Sequence, residues 1–317
     1  MHKLIMNEWI KIFKRPGTFV MIGLLILSVL ATGVLTKMYG NHPKTDHTQW
    51  EQQVSQEIKQ DQKQISELPP TAVNVKKNLE RKAAVNQYRL DHKIPPVNGT
   101  TGWTFINDSS GLISFAGLFT IIIAAGIVAS EFGWGTVKLL LIRPIKRYKI
   151  LFSKYMTVIL FDLFMLAVLF VSAAVLGFAL FGTGDGNNVH LAYSNGTVVE
   201  QNMLLYLIKT YLLTSIDVIM ITTMAFMISA VFRNSSLAVG LSIFLLLMGG
   251  TVTSLIASRY DWAKYILFAN TDLTQYFDGV PLVEGMTAGF SIVMLLIYFF
   301  VFQLLAFGIF TKRDVAA

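Results

Sequence analysis

Long runs of apolar residues dominate the pattern along the chain. Five runs contain no Asp, Glu, Lys or Arg, and a sixth, 203–232, is equally apolar except for Lys209 and Asp217. A helix needs about 20 mostly apolar residues to cross a hydrocarbon core of about 30 Å. The pattern therefore predicts an all-α, polytopic membrane protein with six transmembrane helices, at 17–36, 111–130, 155–184, 203–232, 234–258 and 285–311.

The polar segments between these runs also have helical patterns. In residues 1–16, four apolar side chains share one helical face and the basic residues lie largely elsewhere, which predicts an amphipathic helix at the membrane interface (Ile5, Trp9, Ile12 and Phe13). This helix could be a simple anchor or could frame a cytoplasmic partner. The long loop 37–110 has two helical stretches separated by Pro69-Pro70, which predicts a helical hairpin outside the membrane, either a solvated spacer or a substrate receptor.

The composition supports the membrane assignment. Apolar residues make up 54% of the 317 residues and charged residues only 14%, whereas soluble domains have about 25% charged residues. This argues against a soluble enzyme, a disordered chain and a nucleic-acid-binding domain. Because the chain has no cysteine, disulfides, thiolate metal sites and cysteine nucleophiles are excluded.

The distribution of charge predicts the orientation. The segments 1–16, 131–154, 233–236 and 312–317 together hold thirteen basic and three acidic residues, whereas the loops 185–202 and 259–284 hold two basic and six acidic ones. Short loops rich in Lys and Arg stay in the cytoplasm. Both termini are therefore expected there, in a cell membrane, which we expect to be bacterial. The net charge of +7 is therefore mostly a signal of orientation. Membrane lipids are expected partners, and nucleic acid is not.

The cytoplasmic loop 131–154 is unusual because it is partly apolar. It contains Trp134, Leu140 and Leu141, followed by Pro144 and a basic cluster. An apolar element of this kind can insert into a groove of a partner protein or can rest on the membrane surface with its basic side chains among the headgroups. The candidate partner-coupling residues are Glu131, Trp134, Gly135, Thr136, Lys138, Leu140, Leu141, Pro144 and Arg147.

The pattern Glu131, Gly135-Thr136, Lys138, Leu140-Leu141, Pro144-Ile145, Arg147 and Lys154 resembles the first cytoplasmic loop of the type-2 ABC exporter permeases. In that family the loop supplies the coupling helix that docks on an ATP-hydrolysing subunit. The resemblance implies an amphipathic N-terminal helix, six spans and a re-entrant element between spans five and six, here 259–284. It covers nearly the whole chain.

The resemblance implies a permease subunit that exports an amphipathic or hydrophobic substrate such as a drug, a peptide antibiotic or a lipid. The sequence has no G-x-x-x-x-G-K-[ST] motif, so we expect no cofactor and no enzymatic activity in this chain. The expected partners are a separate ABC ATPase and a second permease subunit, identical or related. A non-transporting membrane scaffold or sensor is the alternative.

Three ionisable residues lie within the predicted spans: Asp162 near the inner end of span three, Lys209 near the outer end of span four, and Asp217 closest to the middle of the membrane. Intramembrane charges are costly and are functional candidates. For Asp217 the alternatives are a carboxylate hydrogen-bonded to a neighbouring Ser or Thr and a proton relay.

A third, remote function is an intramembrane aspartyl protease. Gly182-Thr183-Gly184-Asp185 matches the G-x-G-D element of these enzymes, which need two aspartates facing each other. Asp185 falls in a run of loop residues, and a flexible turn explains the glycines better. The five histidines are scattered and no H-E-x-x-H motif is present, so no metal site is expected.

Overall fold

The structure, a computed structural model, describes residues 1–40, 50–69, 73–97, 99–133, 145–184, 189–194, 196–277 and 279–312. Their helices are α1 (His2–Phe13), α2 (Pro16–Tyr39), α3 (Trp50–Glu67), α4 (Val73–His92), α5 (Gly102–Asp108), α6 (Ile113–Gly133), α7 (Arg147–Phe181), α8 (Met203–Phe232), α9 (Ser235–Ala257), α10 (Leu267–Asn270) and α11 (Ala288–Lys312).

The predicted fold class is confirmed. Six helical stretches of the described chain are long and apolar enough to cross a membrane: α2, α5–α6 as one stretch, α7, α8, α9 and α11. Pro16 starts α2 at a position where a helix does not need the missing backbone N–H. The turn at Lys14 and Arg15 therefore separates the interfacial helix α1 from the first span.

Two boundaries differ from the sequence prediction. Helix α7 begins at Arg147, so residues 147–154, which we predicted as loop, are helical and bury Ile150 and Leu151. The second span begins at Gly102 rather than 111, because Thr101 caps α5 and a short 3-10 turn, Ser109–Leu112, joins α5 to α6. An apolar run shows only the part of a helix that lies in lipid or in the protein core. The polar ends of the helix depend on packing and on capping residues, so the apolar pattern does not locate them.

Helices α6 and α8 form the centre of the bundle. In the most apolar 18-residue stretch of each of these two helices, two thirds of the residues are buried. The corresponding shares are 11% for α11, 17% for α9 and 22% for α2. Small residues allow the close approach: the Ser229 hydroxyl donates to the Ala125 carbonyl at 2.6 Å and accepts from the Ala129 N–H at 3.1 Å. The outer faces of α2, α9 and α11 are apolar and exposed, as expected for lipid or a second membrane subunit.

One end of the bundle, which we call the hairpin end, carries a layer of short elements. The antiparallel pair α3–α4 is held by a small apolar cluster of Trp50, Val54 and Ile58 with Leu90 against it. A β-hairpin, β1 (Val189–Ser194) and β2 (Thr197–Asn202), lies beside it, and the Tyr88 hydroxyl donates to Glu200 at 3.4 Å. The sequence analysis predicted the helical hairpin but treated 185–202 only as a loop.

The segment between α9 and α11 folds into short turns at the same end: two 3-10 turns, Asp261–Tyr265 and Leu273–Tyr276, with α10 between them. Asn270 is fully buried; its amide donates to the carbonyls of Lys264 and Ile266, and its oxygen accepts from Ser291 on α11 at 2.7 Å. Since these buried polar groups are satisfied internally, irregular backbone is tolerated here. A re-entrant element in this segment stays a prediction.

The opposite end of the bundle, the N-terminal end, carries α1 and the flanks of the segment 134–144. We predict that the N-terminal end faces the cytoplasm. Because the chain has no cysteine, the single variants Lys14→Cys and Lys59→Cys report on the two ends. In intact cells a membrane-impermeant maleimide should label Lys59→Cys and should label Lys14→Cys only after permeabilisation; the reverse result would invert the topology.

Candidate functional site: a buried network of four charges

Four charged side chains meet at the N-terminal end, contributed by three different helices. Glu8 and Lys11 lie on α1, Glu131 lies near the end of α6, and Lys154 lies two turns into α7. Glu8 is 6% exposed and Lys154 only 3%. A charge so deeply buried is tolerated only when it is paired and hydrogen-bonded.

Lys154 is the centre of this network. Its ammonium group donates to Glu8 Oε2 at 2.8 Å and to Glu131 Oε1 at 3.1 Å. Lys11 closes the network from the more exposed side, at 2.8 Å from Glu8 Oε1 and 3.5 Å from Glu131 Oε1. Among the described residues, two ammonium groups therefore face two carboxylates, and these four charges balance.

The environment of Lys11 keeps it charged. Partial burial by itself would lower the pKa of its ammonium group, but the hydrogen bonds and charges of Glu8 and Glu131 together outweigh this, and the pKa is raised above 10.5. Lys11 thus keeps its charge below this raised pKa and loses it, with its contribution to stability, as the pH rises through that value.

The sequence places these groups by helical spacing and by apolar packing. Glu8 and Lys11 are three residues apart and so share a face of α1. The predicted apolar face lies against protein: Ile12 is buried, and the Trp9 ring meets the Phe164 ring of α7 edge-on at 5.9 Å. A hydrogen bond from Thr18 to the Ile12 carbonyl at 2.6 Å fixes the turn into α2. Helix α1 is therefore docked on α7 rather than only resting on lipid.

Of the predicted coupling residues, the structure describes Glu131 and Arg147. Glu131 belongs to the network, and Arg147, at the start of α7, donates to the Thr311 carbonyl of α11 at 3.5 Å. The other seven, Trp134, Gly135, Thr136, Lys138, Leu140, Leu141 and Pro144, lie outside the described residues. Glu131 and Arg147 thus lie on the two flanks of the segment 134–144.

The sequence analysis missed Glu8 and Lys11 as site residues and gave Lys154 only as part of the resemblance. A signal was present. Glu8 is the one acidic residue of the first sixteen, and it lies beside the apolar residues Trp9 and Ile12. An acid next to the apolar face of an otherwise basic helix indicates that a buried cation lies opposite it.

The intramembrane charges have separate surroundings. Asp162 lies near the middle of α7, is 5% exposed and has Thr120 of α6 as a neighbour. Lys209 on α8 lies 3.4 Å above the centre of the Phe277 ring. Asp217 has Thr271, from the turns that follow α9, as a neighbour, and the two alternatives for its role stay predictions.

Asp217 also lines a cavity of about 420 Å³ between α8, α9 and the turns that follow α9. Its walls combine polar groups, including Asp272, Gln275 and Ser254, with the apolar side chains of Leu246 and Phe268. The two intramembrane aspartates have different neighbours, Thr120 and Thr271, which is not the paired arrangement of an aspartyl protease. Asp185 lies outside the described residues. Among the described residues, no group of three His, Asp or Glu could hold a metal ion.

Comparison with known proteins adds the family. The sequence model of DUF2705, described as a protein of unknown function, matches residues 71–316, more than three quarters of the chain. The chain belongs to the DUF2705 family. This match includes Glu131, Lys154 and five of the six spans, whereas Glu8 and Lys11 lie outside it.

Two relatives come from Bacillus subtilis strain 168. The uncharacterized protein YhcI is 52% identical over 318 residues, which cover the whole of both chains. The uncharacterized membrane protein YdbK is 34% identical over 200 residues, 62% of this chain and 76% of YdbK. Together with the six apolar helices, these similarities make the chain a multi-pass membrane protein.

We predict that Lys154→Met destabilises the protein by about 3–5 kcal/mol, because it leaves the buried Glu8 and Glu131 with one cation fewer. The free energy of unfolding in mixed detergent micelles, followed by tryptophan fluorescence, measures this. Lys14→Met removes an exposed lysine at the end of α1 and is the control. If Lys154→Met lowers the free energy of unfolding by less than about 1 kcal/mol, as expected for surface ion pairs, the network is exposed to water rather than buried.

Proposed function

We propose that the chain is the membrane-spanning permease subunit of an ABC exporter, driven by ATP hydrolysed on a separate subunit. The observation that supports this most directly is the network of Glu8, Lys11, Glu131 and Lys154. It joins the N-terminal helix to both flanks of the segment 134–144, the segment whose residues resemble the coupling loop of the type-2 exporter permeases.

The network suits the transmission of force. Glu131 precedes the segment by three residues and Lys154 follows it by ten, and both contact the same carboxylate–ammonium cluster. A displacement of the loop by a partner would therefore move α1, the end of α6 and the start of α7 as one unit. Transport requires such coupling, because nucleotide binding must favour one state of the permease over another by a few kcal/mol.

The membrane faces suit a second subunit. Helices α2, α9 and α11 present apolar side chains outward over most of their length. Six helices per chain are few for an enclosed path, so we propose that two permease subunits, identical or related, form it together. The N-terminal end would face the cytoplasm, where the ATPase subunits bind.

The Asp217 cavity supports a proposal for the substrate class. Its mixed lining of carboxylate, amide and hydroxyl groups with Leu246 and Phe268 suits a molecule that is partly polar and partly apolar. We therefore propose an amphipathic substrate, such as a drug, a peptide antibiotic or a lipid. Asp217 would contact its polar part.

Coupling to an ATPase is tested with the isolated complex. We expect a reading frame with Walker motifs next to the one that encodes this chain. Coexpressed and reconstituted in lipid vesicles, the pair should hydrolyse ATP, whereas this chain alone should not. Glu131→Gln keeps the shape of the side chain but removes the charge that joins the loop to the network. We expect this variant to lower the ATP turnover of the complex about tenfold or more.

The matched control is Glu200→Gln, an exposed residue at the opposite, hairpin end, which should leave ATP turnover unchanged. ATP-dependent uptake of a fluorescent amphipathic dye into inverted vesicles then separates a pump from a scaffold or sensor. ATPase binding without uptake of any of a panel of such dyes would favour the scaffold. Robust ATP hydrolysis by the solitary chain would contradict the proposal.

A further inference from the structure

A second cavity lies at the hairpin end, far along the bundle from the four-charge network. It encloses about 380 Å³ and is lined by residues of α4, α5, β1 and the start of α8. Its volume falls in the range of small-ligand sites, which are largely preformed. We call it the hairpin-end cavity.

Arg89 of α4 supplies a cation to this cavity. One guanidinium nitrogen donates to the Pro95 carbonyl at 3.2 Å, which fixes the side chain in place. Within the part of the chain that the structure describes, no carboxylate lies within 4 Å of it; Glu57, whose charge it feels, hydrogen-bonds instead to Asn86 at 3.1 Å. Partial burial lowers the pKa of Arg89 below its ordinary value, as expected for a cation that has lost water without gaining an anion.

Asp108, at the end of α5, supplies an anion to the same cavity. Over the described ranges its carboxylate makes neither a hydrogen bond nor an ion pair, and it is not paired with Arg89. The cavity therefore holds one cation and one anion that are separated from each other by more than ion-pair distance.

Trp103 adds a buried hydrogen-bond donor without a partner to the cavity, beside Arg89 and the exposed Asp108. Its indole N–H is buried and has no acceptor among the described residues, although the ring packs edge-on against Phe178 at 5.0 Å. Buried donors without a partner are rare and costly. A ligand atom that accepts a hydrogen bond would satisfy this donor. On another wall, His190 and Tyr206 stack with their ring centres 3.5 Å apart, which provides a flat, rigid surface.

From these groups we propose that the hairpin-end cavity binds a small zwitterion, a molecule that carries an ammonium group together with a phosphate or carboxylate group. Arg89 takes the anionic group bidentately, as guanidinium groups do. Asp108 takes the ammonium group, and Trp103 donates to an oxygen of the ligand. The ligand is either free in solution or the zwitterionic headgroup of a lipid such as phosphatidylethanolamine. This site does not depend on the proposed export function.

The test uses the purified full-length chain in phosphatidylglycerol nanodiscs, with phosphoethanolamine as the probe in isothermal titration calorimetry. We expect phosphoethanolamine to bind more tightly than ethanolamine or inorganic phosphate, each of which offers only one of the two charges. Arg89→Gln should weaken phosphoethanolamine about tenfold or more without changing the affinity for ethanolamine, and Asp108→Asn should weaken both amines.

Lys82→Gln removes an exposed cation from the same helix and should change nothing. Arg89→Lys keeps the charge and should restore part of the affinity, which separates loss of the anion contact from misfolding. If Arg89→Gln and Asp108→Asn bind phosphoethanolamine as the parent chain does, the proposal is wrong.

The source of the zwitterion is settled by mixed nanodiscs. If the site holds a lipid headgroup, phosphatidylethanolamine in the disc should compete with phosphoethanolamine and should be retained over phosphatidylglycerol in native mass spectrometry, less so by Arg89→Gln. If the ligand is soluble, phosphoethanolamine should bind equally in both kinds of disc. Absence of both soluble binding and selective lipid retention would overturn the proposal.

Discussion

The burial of the Lys154 ammonium group between Glu8 and Glu131 is the constraint on which the N-terminal end of the bundle depends. An ammonium group inside a protein costs several kcal/mol unless carboxylates replace its water. Both carboxylates come from other helices, so α7 cannot hold its lysine inside without α1 and α6 in place. The interaction therefore specifies a position for the N-terminal helix, which its apolar face alone would not fix.

This constraint explains why an interfacial helix of twelve residues is part of the bundle. Its apolar residues pack on α7 through Trp9 and Ile12, and its charges meet the flanks of the segment 134–144. At the hairpin end the connections are of another kind, made of small apolar clusters and satisfied backbone and amide groups. The two ends of the protein thus differ in how their elements are held together: by a buried ionic network at one end, and by small apolar clusters and hydrogen-bonded amides at the other. Helices α6 and α8 are their shared centre.

The sequence predicted the parts of the fold that are determined by contact with lipid or water. Apolar runs gave the six spans, since a hydrocarbon core imposes their length, and the periodicity of Trp50, Val54 and Ile58 gave the outer helical hairpin. It could not give the start of α7 at Arg147, because the polar residues before the apolar run become helical through contacts with α1 and α6. Nor could it pair Lys154 with Glu8, since they are 146 residues apart. The β-hairpin was missed because residues 189–202 offer polar and apolar residues in short runs that a loop also has.

The central claim is that Glu8 and Lys154 stabilise each other inside the protein. The most direct test is a double-mutant cycle on the free energy of unfolding with Glu8→Gln, Lys154→Met and the two combined. In Lys154→Met, Lys11 alone faces two carboxylates, so removing the charge of Glu8 in that background removes an excess negative charge. The double variant should then be at least as stable as Lys154→Met alone, with a coupling energy of about 1–3 kcal/mol. Strictly additive losses from the two substitutions would contradict the account.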